Sequence, residues 1–431
     1  MLEKYKVFTG LFFGAFWVLL TFGFISEELM PPLIPLRSIV MLLCDAVFLI
    51  LGLYSLRDRR DQIVFGSFVV LGCVSSYLNN LGVVFIVNGA RDFFGMLFAI
   101  PICRFLLKSR FRDRFIESFD KQLWIFLILQ TFCVTWQFFR YGPGDHGGGS
   151  MGNGFSGIVT TLIYIISFYL LSKKWNYGNY WMELWKNKVY VFLLFPTFLN
   201  ETKIGFLFLL AYFLLLLRVE WKTVFKVLIS IPLIIVAMIV AGYAYLTVTG
   251  QTFESVFSQS AMDDYMVGED PEELVELGMA IQDGIYERED IGQVDIPRFS
   301  KLIFIPEALK DAAGGSLFGA GLGQFKGGTT LSLTPYADTW AWLLGGSVPY
   351  IFFIVIQLGV LGAAWLFYNL FTVMLPQSPM PLGRNIKIFV WLILALMMFY
   401  NDSLRFFPFC AIIFYIILFG YVNVTEKHAK I

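Results

Sequence analysis

The chain has 431 residues, of which 58% are hydrophobic and only 15% charged, where soluble domains average about 45–50% and about 25%. So few charges cannot cover a globular surface, which excludes a soluble multi-domain enzyme, a disordered chain, a coiled coil and a nucleic-acid-binding protein. The 32 basic and 32 acidic residues cancel, so any charge information lies in where each sign sits.

A bilayer-spanning helix needs about 20 mostly apolar residues. Apolar segments run at 7–25, 38–56, 63–80, 92–107, 122–139, 155–172, 189–200, 204–217, 227–247, 343–372, 388–400 and 408–424. The first follows Lys4 and Lys6 and runs into Ser26-Glu27-Glu28-Leu29-Met30-Pro31-Pro32 without a small-residue cleavage site, which reads as a retained helix rather than a signal peptide. The second holds Asp45 in Leu43-Cys44-Asp45-Ala46-Val47. An acid at that depth is a functional hypothesis by default, with a hydrogen bond to a neighbouring helix as its plainer role. The seventh, eighth and eleventh segments are short. The seventh and eighth meet at Asn200-Glu201-Thr202-Lys203, read as a tight turn; one broken helix there would make eleven spans.

The connection at 248–340 is long and holds sixteen acids against five bases. Within it, Pro271-Glu272-Glu273-Leu274-Val275-Glu276-Leu277 and Ile305-Pro306-Glu307-Ala308-Leu309-Lys310 read as helix starts with Pro at the first position. The cysteines Cys44, Cys73, Cys103, Cys133 and Cys410 all fall in apolar segments with no CxxC spacing, so neither a disulfide framework nor a metal site is suggested. The fold expected is an all-α polytopic membrane protein of twelve transmembrane helices. Residues 1–247 form helices one to nine, 248–340 a large, partly helical extracytoplasmic loop between helices nine and ten, and 341–431 helices ten to twelve with a short tail.

Cytosolic loops carry an excess of Lys and Arg. With both termini in the cytosol, 22 of the 32 basic residues fall inside, and ten fall outside: Arg37, Arg91, Arg140, Lys203, Arg288, Arg298, Lys301, Lys310, Lys326 and Arg405. Zero net charge then becomes two oppositely charged faces across a bilayer.

Three stretches on the expected outer side stand out. The first, Gly142–Gly154 with Asp145 and His146, is glycine-rich and can approach a ligand closely or form an anion nest of successive N–H groups, or serve only as a flexible loop. The second is Asn200-Glu201-Thr202-Lys203-Ile204-Gly205, where Lys203 can hold a phosphate or anchor at headgroups. The third, Gly319-Ala320-Gly321-Leu322-Gly323-Gln324-Phe325-Lys326, leads through Tyr336, Asp338 and Trp340 into helix ten. No predicted strand precedes its glycines, so a dinucleotide-binding reading fails.

In their order, these stretches resemble the O-antigen ligase and O-antigen polymerase family of bacterial membrane proteins. The match runs through Gly149-Ser150-Met151-Gly152-Asn153, Thr202-Lys203-Ile204-Gly205, the Gly319–Phe325 element and the small-residue stretches Gly345-Gly346-Ser347 and Leu358-Gly359-Val360-Leu361-Gly362. Lys203 stands where the family has Arg, and 248–340 contains no His, the residue that ligases of the family use in that loop; His146 and His428 are the chain's only histidines. Those departures favour a polymerase-like member. The resemblance implies transfer of a glycan from an undecaprenyl-pyrophosphate carrier to a sugar hydroxyl at the outer face of the bacterial cytoplasmic membrane, in surface polysaccharide biosynthesis. Its implied partners are the lipid-linked oligosaccharide, membrane lipids and other polysaccharide assembly proteins, with no cofactor and no nucleic acid.

Departure of a pyrophosphate at the membrane surface calls for cationic hydrogen-bond donors in a water-poor cleft. The expected catalytic residues are Arg91, Arg140, Lys203, Arg288, Arg298 and Asp338, the last as a carboxylate to take the acceptor proton; Glu201 and Asp145 are its alternatives. Asn153, Glu201, Gly321, Gly323, Lys326, Tyr336 and Trp340 are the expected substrate contacts, although the aromatics also suit an interfacial belt. No Asp-x-Asp or His cluster marks a metal site on that face. The alternative is a transporter or flippase for a polar or lipid-linked substrate. It calls for polar groups along the midplane, where this chain has one buried acid and a 93-residue outer loop.

Overall fold

The computed structural model describes residues 2–108, 111–142, 146–176, 179–200, 204–217, 301–326, 334–344, 348–371, 381–400 and 403–428. Among these residues the chain is helical and forms no strand. In order come α1 (Leu2–Phe24), α2 (Arg37–Ser55), α3 (Arg59–Leu78), α4 (Val83–Ala90), α5 (Phe94–Lys108), α6 (Arg112–Tyr141) and α7 (Ser156–Ser172). The short α8 (Tyr180–Lys186), α9 (Lys188–Phe192) and α10 (Pro196–Leu199) lead to α11 (Ile204–Leu215). Then come α12 (Lys301–Asp311), α13 (Gly315–Phe318), α14 (Pro335–Trp340), α15 (Tyr350–Phe371), α16 (Pro381–Tyr400), α17 (Ser403–Phe406) and α18 (Phe409–His428).

Among the described residues six helices are long and apolar enough to cross a membrane: Glu3–Leu29, Pro31–Ser55, Arg59–Leu78, Val83–Leu107, Arg112–Tyr141 and Tyr350–Leu370. Four shorter apolar helices cover Ser156–Ser172, Lys188–Leu199, Asn385–Tyr400 and Phe409–Phe419. The protein is all-α and of membrane type. The predicted segment 227–247 and the turn at Glu201-Thr202-Lys203 lie outside the described residues.

Packing follows from two kinds of helix. Every side chain of α7 except Gly157 is buried, as expected of a helix apolar on all sides. It runs through the centre against α6, α11 and α16. α1 instead buries one stripe, Phe8, Phe12, Phe16 and Leu20, at the four-residue spacing of one helix face. Phe12 and Phe16 meet Phe409 of α18 edge-on, with ring centres 5.3 and 5.4 Å apart. The outer helices leave large apolar side chains uncovered, among them Ile50, 62% exposed, and Phe139, 82% exposed. Contiguous apolar surface on this scale suits contact with lipid rather than water.

Several boundaries differ from the sequence reading for local reasons. The fourth predicted segment starts at 92, but helix begins at Val83 and continues through one 3-10 turn, Arg91–Phe93, into α5. The tenth breaks at Gly359, whose φ of 64° and ψ of −164° no α-helix contains. Pro306 lies inside α12 rather than at its start; its missing N–H removes only an early bond of the helix.

Candidate functional site

The 3-10 turn between α4 and α5 aims neighbouring side chains at different partners. Arg91 reaches across to α2, where its Nε and Nη2 lie 2.7 and 2.6 Å from Asp45 Oδ2, and its Nη1 donates to Asn88 Oδ1 at 2.9 Å. The isolated acid of α2 is thus an ion-pair partner, eight residues or about 12 Å along the helix from Arg37. Asp92 is 8% exposed, and its Oδ1 accepts from Lys326 Nζ at 2.7 Å. Arg405 Nε stands 3.8 Å from Asp92 Oδ2, with its guanidinium 4.5 Å above the Phe353 ring. Asp92 Oδ2 itself is buried and accepts no hydrogen bond. Beside it opens a cavity of about 200 Å³ lined by Asp92, Lys326, Arg405, Gln357, Phe325 and Phe353.

Lys326 is delivered there by the Gly319–Phe325 element. Gly319, Gly321 and Gly323 have φ of 71°, 101° and 82°, a region that favours glycine. A Cβ on Gly323 would come 1.9 Å from the Phe85 carbonyl oxygen, and one on Gly89 would come 2.2 Å from Gly323 N. The backbone N–H groups of Ala320 and Gly321 donate to the carbonyls of Ile356 and Gln357 at 2.9 and 3.0 Å. The break at Gly359 deprives those carbonyls of regular helical donors. Gly323 N–H donates to Gln357 Oε1 at 2.8 Å, and Asn79 Nδ2 donates to the Gly319 carbonyl at 2.9 Å. This strap therefore spends three of its N–H groups on α15, and that of Leu322 on Ser76 of α3. Gly321 and Gly323, expected as substrate contacts, shape the strap that positions Lys326.

The glycine-rich stretch before α7 lies elsewhere and is filled from within. Gly149 N–H donates to Gln137 Oε1 at 2.7 Å, Ser150 N–H to Gln130 Oε1 at 2.9 Å, and Asn153 N–H to Glu27 Oε2 at 2.6 Å. Glu27 also pairs with Arg37. Arg140 pairs with Glu28 at 2.7 Å, and Tyr141 donates to the same carboxylate at 3.1 Å. Three of the N–H groups expected to form an anion nest, those of Gly149, Ser150 and Asn153, are thus taken by side chains of α6 and by Glu27, and Arg140 stands apart from Arg91.

The remaining expected residues separate. Trp340 is 1% exposed and donates its indole N–H to Asp311 Oδ2 at 3.1 Å, so its ring faces the interior rather than a ligand. Tyr336 donates to the Ala308 carbonyl at 2.8 Å and meets Phe325 edge-on. Burial, with the Asp311 carboxylate adding to it, pushes its phenol well up. Asp338 is exposed on α14. Lys203, Glu201, Asp145, Arg288 and Arg298 lie outside the described residues.

The opposite end of the bundle collects a second set of charges. Arg104 bridges Asp58 and Asp61 at 3.3 and 2.8 Å, Arg60 donates to the Asn369 carbonyl at 3.4 Å, and Lys173 pairs with Asp120 at 2.6 Å. Burial pulls the Lys173 ammonium down from its usual range, with Asp120 opposing. Among the described residues no three His, Cys, Asp or Glu side chains gather as a metal-holding group.

Sequence reasoning passed over Gln130, Gln137 and Gln357, all buried. Their signal was present, because an amide inside an apolar helix must find hydrogen-bond partners. The grouping of Arg405 with Asp92 and Lys326 had no sequence signal. No family model matches the chain, and no curated protein matches it.

Proposed function

We propose that the protein is a polymerase- or ligase-type glycosyltransferase of the bacterial cytoplasmic membrane. It moves a glycan from an undecaprenyl-pyrophosphate carrier to a sugar hydroxyl at the outer face, as the resemblance to the O-antigen ligase and polymerase family implies. One observation carries this reading. Lys326 and Arg405, from distant parts of the chain, converge at Asp92 beside one cavity, and Arg91, next to Asp92 in the chain, pairs with Asp45. Cations held in a low-dielectric recess are suited to stabilise a departing pyrophosphate. Arg adds a planar fork that grips two phosphate oxygens. The charge segregation supports the same reading, because the bases expected in the cytosol and those expected outside pair at opposite ends of the bundle. In this reading twelve helices span with both termini inside, and Lys203, Arg288 and Arg298 remain candidates for further grips.

The break in α15 is the one feature that favours a transporter, because discontinuous helices build midplane substrate sites there. Here the carbonyls beside the break accept from the Gly319–Phe325 strap, which supports a structural break.

The test is substitution in a polysaccharide-producing strain. Arg91→Gln and Lys326→Gln should each shift the product from long polymer to single lipid-linked units at normal protein level. Full-length polymer from both variants would overturn the proposal. Orientation has a separate check in a Cys73→Ser background: a membrane-impermeant thiol reagent should label Asn153→Cys from outside and leave Arg110→Cys unlabelled.

A further inference from the structure

A carboxylate beside a phosphate-binding recess is an odd neighbour, since it repels the ligand that the cations attract. The described carboxylates on this side of the bundle differ in what their oxygens do. Asp45 Oδ2 takes two nitrogens of Arg91. Glu27 spends one oxygen on Arg37 and the other on Asn153 N–H. Glu28 Oε2 takes Arg140 and Tyr141. Asp92 divides its labour: Oδ1 is held by Lys326 at 2.7 Å, while Oδ2 is buried, accepts no hydrogen bond and faces Arg405 Nε at 3.8 Å, and the residue lines the cavity. A buried acceptor left open costs stability. A ligand hydroxyl entering the cavity would satisfy it.

We propose that Asp92 is the catalytic base of the transfer, the group that accepts the proton of the attacking sugar hydroxyl. The inference rests on the glycosyltransferase reading. Lys326 fixes the carboxylate through Oδ1 and leaves Oδ2 to the acceptor O–H. The acceptor oxygen forms its bond to the anomeric carbon of the donor glycan. The bond from that carbon to the pyrophosphate oxygen breaks, and its electron pair leaves with the lipid pyrophosphate, beside Arg91, Lys326 and Arg405. The acceptor proton passes to Asp92 Oδ2 and then to water, so the carboxylate is regenerated each cycle. Asp338, expected in this role, is exposed on α14, whereas Asp92 shares a cavity with two of the cations.

The experiment uses the full chain reconstituted in lipid nanodiscs, with undecaprenyl-pyrophosphate-linked oligosaccharide as the probe. Asp92→Asn keeps an acceptor for Lys326 but loses basicity. Its kcat should fall by about 10²- to 10⁴-fold, the usual contribution of general-base catalysis, with KM for the lipid-linked donor within about threefold. A kcat within about threefold of the unmodified protein, or a loss confined to KM, would overturn the role of Asp92 and leave the glycosyltransferase reading standing. No turnover by the unmodified protein would sink that reading, and this inference with it. If Asp92→Asn does not fold, the double variant Asp92→Asn/Lys326→Gln, which replaces the ion pair with a neutral amide pair, is compared with Lys326→Gln alone. A folded double variant whose kcat lies about 10²-fold further below that of Lys326→Gln supports the proposal, and one within about threefold of Lys326→Gln overturns it.

Discussion

Two regions on one end of the bundle carry the same ingredients, glycines, buried amides, acids and arginines, and use them oppositely. Around Gly149–Asn153, the donors of the loop end on Gln130, Gln137 and Glu27, and Arg37 and Arg140 end on Glu27 and Glu28. Around Asp92 the glycines bind the strap to α15 in the same way, yet one buried carboxylate oxygen accepts no hydrogen bond, in a residue that lines a cavity with Lys326 and Arg405. Cations and glycines therefore do not by themselves mark a site. Where each group is satisfied internally the region serves as scaffold, and where one buried group is left open there is chemistry to explain.

That contrast can be broken most forcefully at Gly323. A Cβ there meets backbone at 1.9 Å with φ at 82°, so Gly323→Ala should cost about 3 kcal/mol or more. Gly154→Ala, with φ of 81° but open space around it, should cost about 1–2 kcal/mol of backbone strain alone. Thermal unfolding in detergent compares them, and equal losses would mean that the strap does not depend on close approach. Next comes Asp45→Asn, which leaves Arg91 without its counter-charge. Full burial would make the loss about 3–5 kcal/mol, and the partial exposure of the Arg91 side chain, 30%, reduces it to about 2. Gln137→Ala should cost about 1–3 kcal/mol, because it strands the buried Gly149 N–H. Arg140→Ala should cost less than about 1 kcal/mol, since its side chain is 47% exposed, and should leave polymer length unchanged. Shortened polymer from Arg140→Ala would place chemistry in the scaffold region and erase the distinction.

A comparably small effect sharpens the strap's surroundings. Tyr336→Phe removes one hydrogen bond to the Ala308 carbonyl, worth about 1 kcal/mol. Because burial raises the phenol in the folded state, the neutral form is favoured by folding. Its stabilisation is fully present below the unfolded pKa of about 10 and is lost as pH rises from there through the folded value. A stability profile from pH 9 upward should therefore fall less steeply in the variant than in the unmodified protein.

The helical, membrane-type architecture was legible in advance, because apolar length acts locally. Asp45 could be recognised as needing a partner, since an acid in an apolar helix has no water to solvate it. Arg91, Asp92 and Lys326 were visible as charges at helix ends or in the loop. Their pairing was not, because the partners lie 46, 234 and 313 residues apart along the chain. The glycines at 319, 321 and 323 announced unusual backbone, but that they press on Gly89 and fill the break at Gly359 depends on how α3, α4 and α15 pack.

Sequence alone determined the solvent of this protein. Hydropathy is a property of each segment and is set before any helix packs. Only the tertiary structure decided which charges stand together, because ion pairs and hydrogen bonds act over about 3 Å between residues that hydropathy treats alike. Of the cations assigned to the outer face, Arg37 and Arg140 are tied to the glutamates after α1, whereas Arg91, Lys326 and Arg405 gather at Asp45 and Asp92. The difference lies in the 3-10 turn after Ala90 and the strap that crosses it, which bring Asp92, Lys326 and Arg405 together at one small cavity.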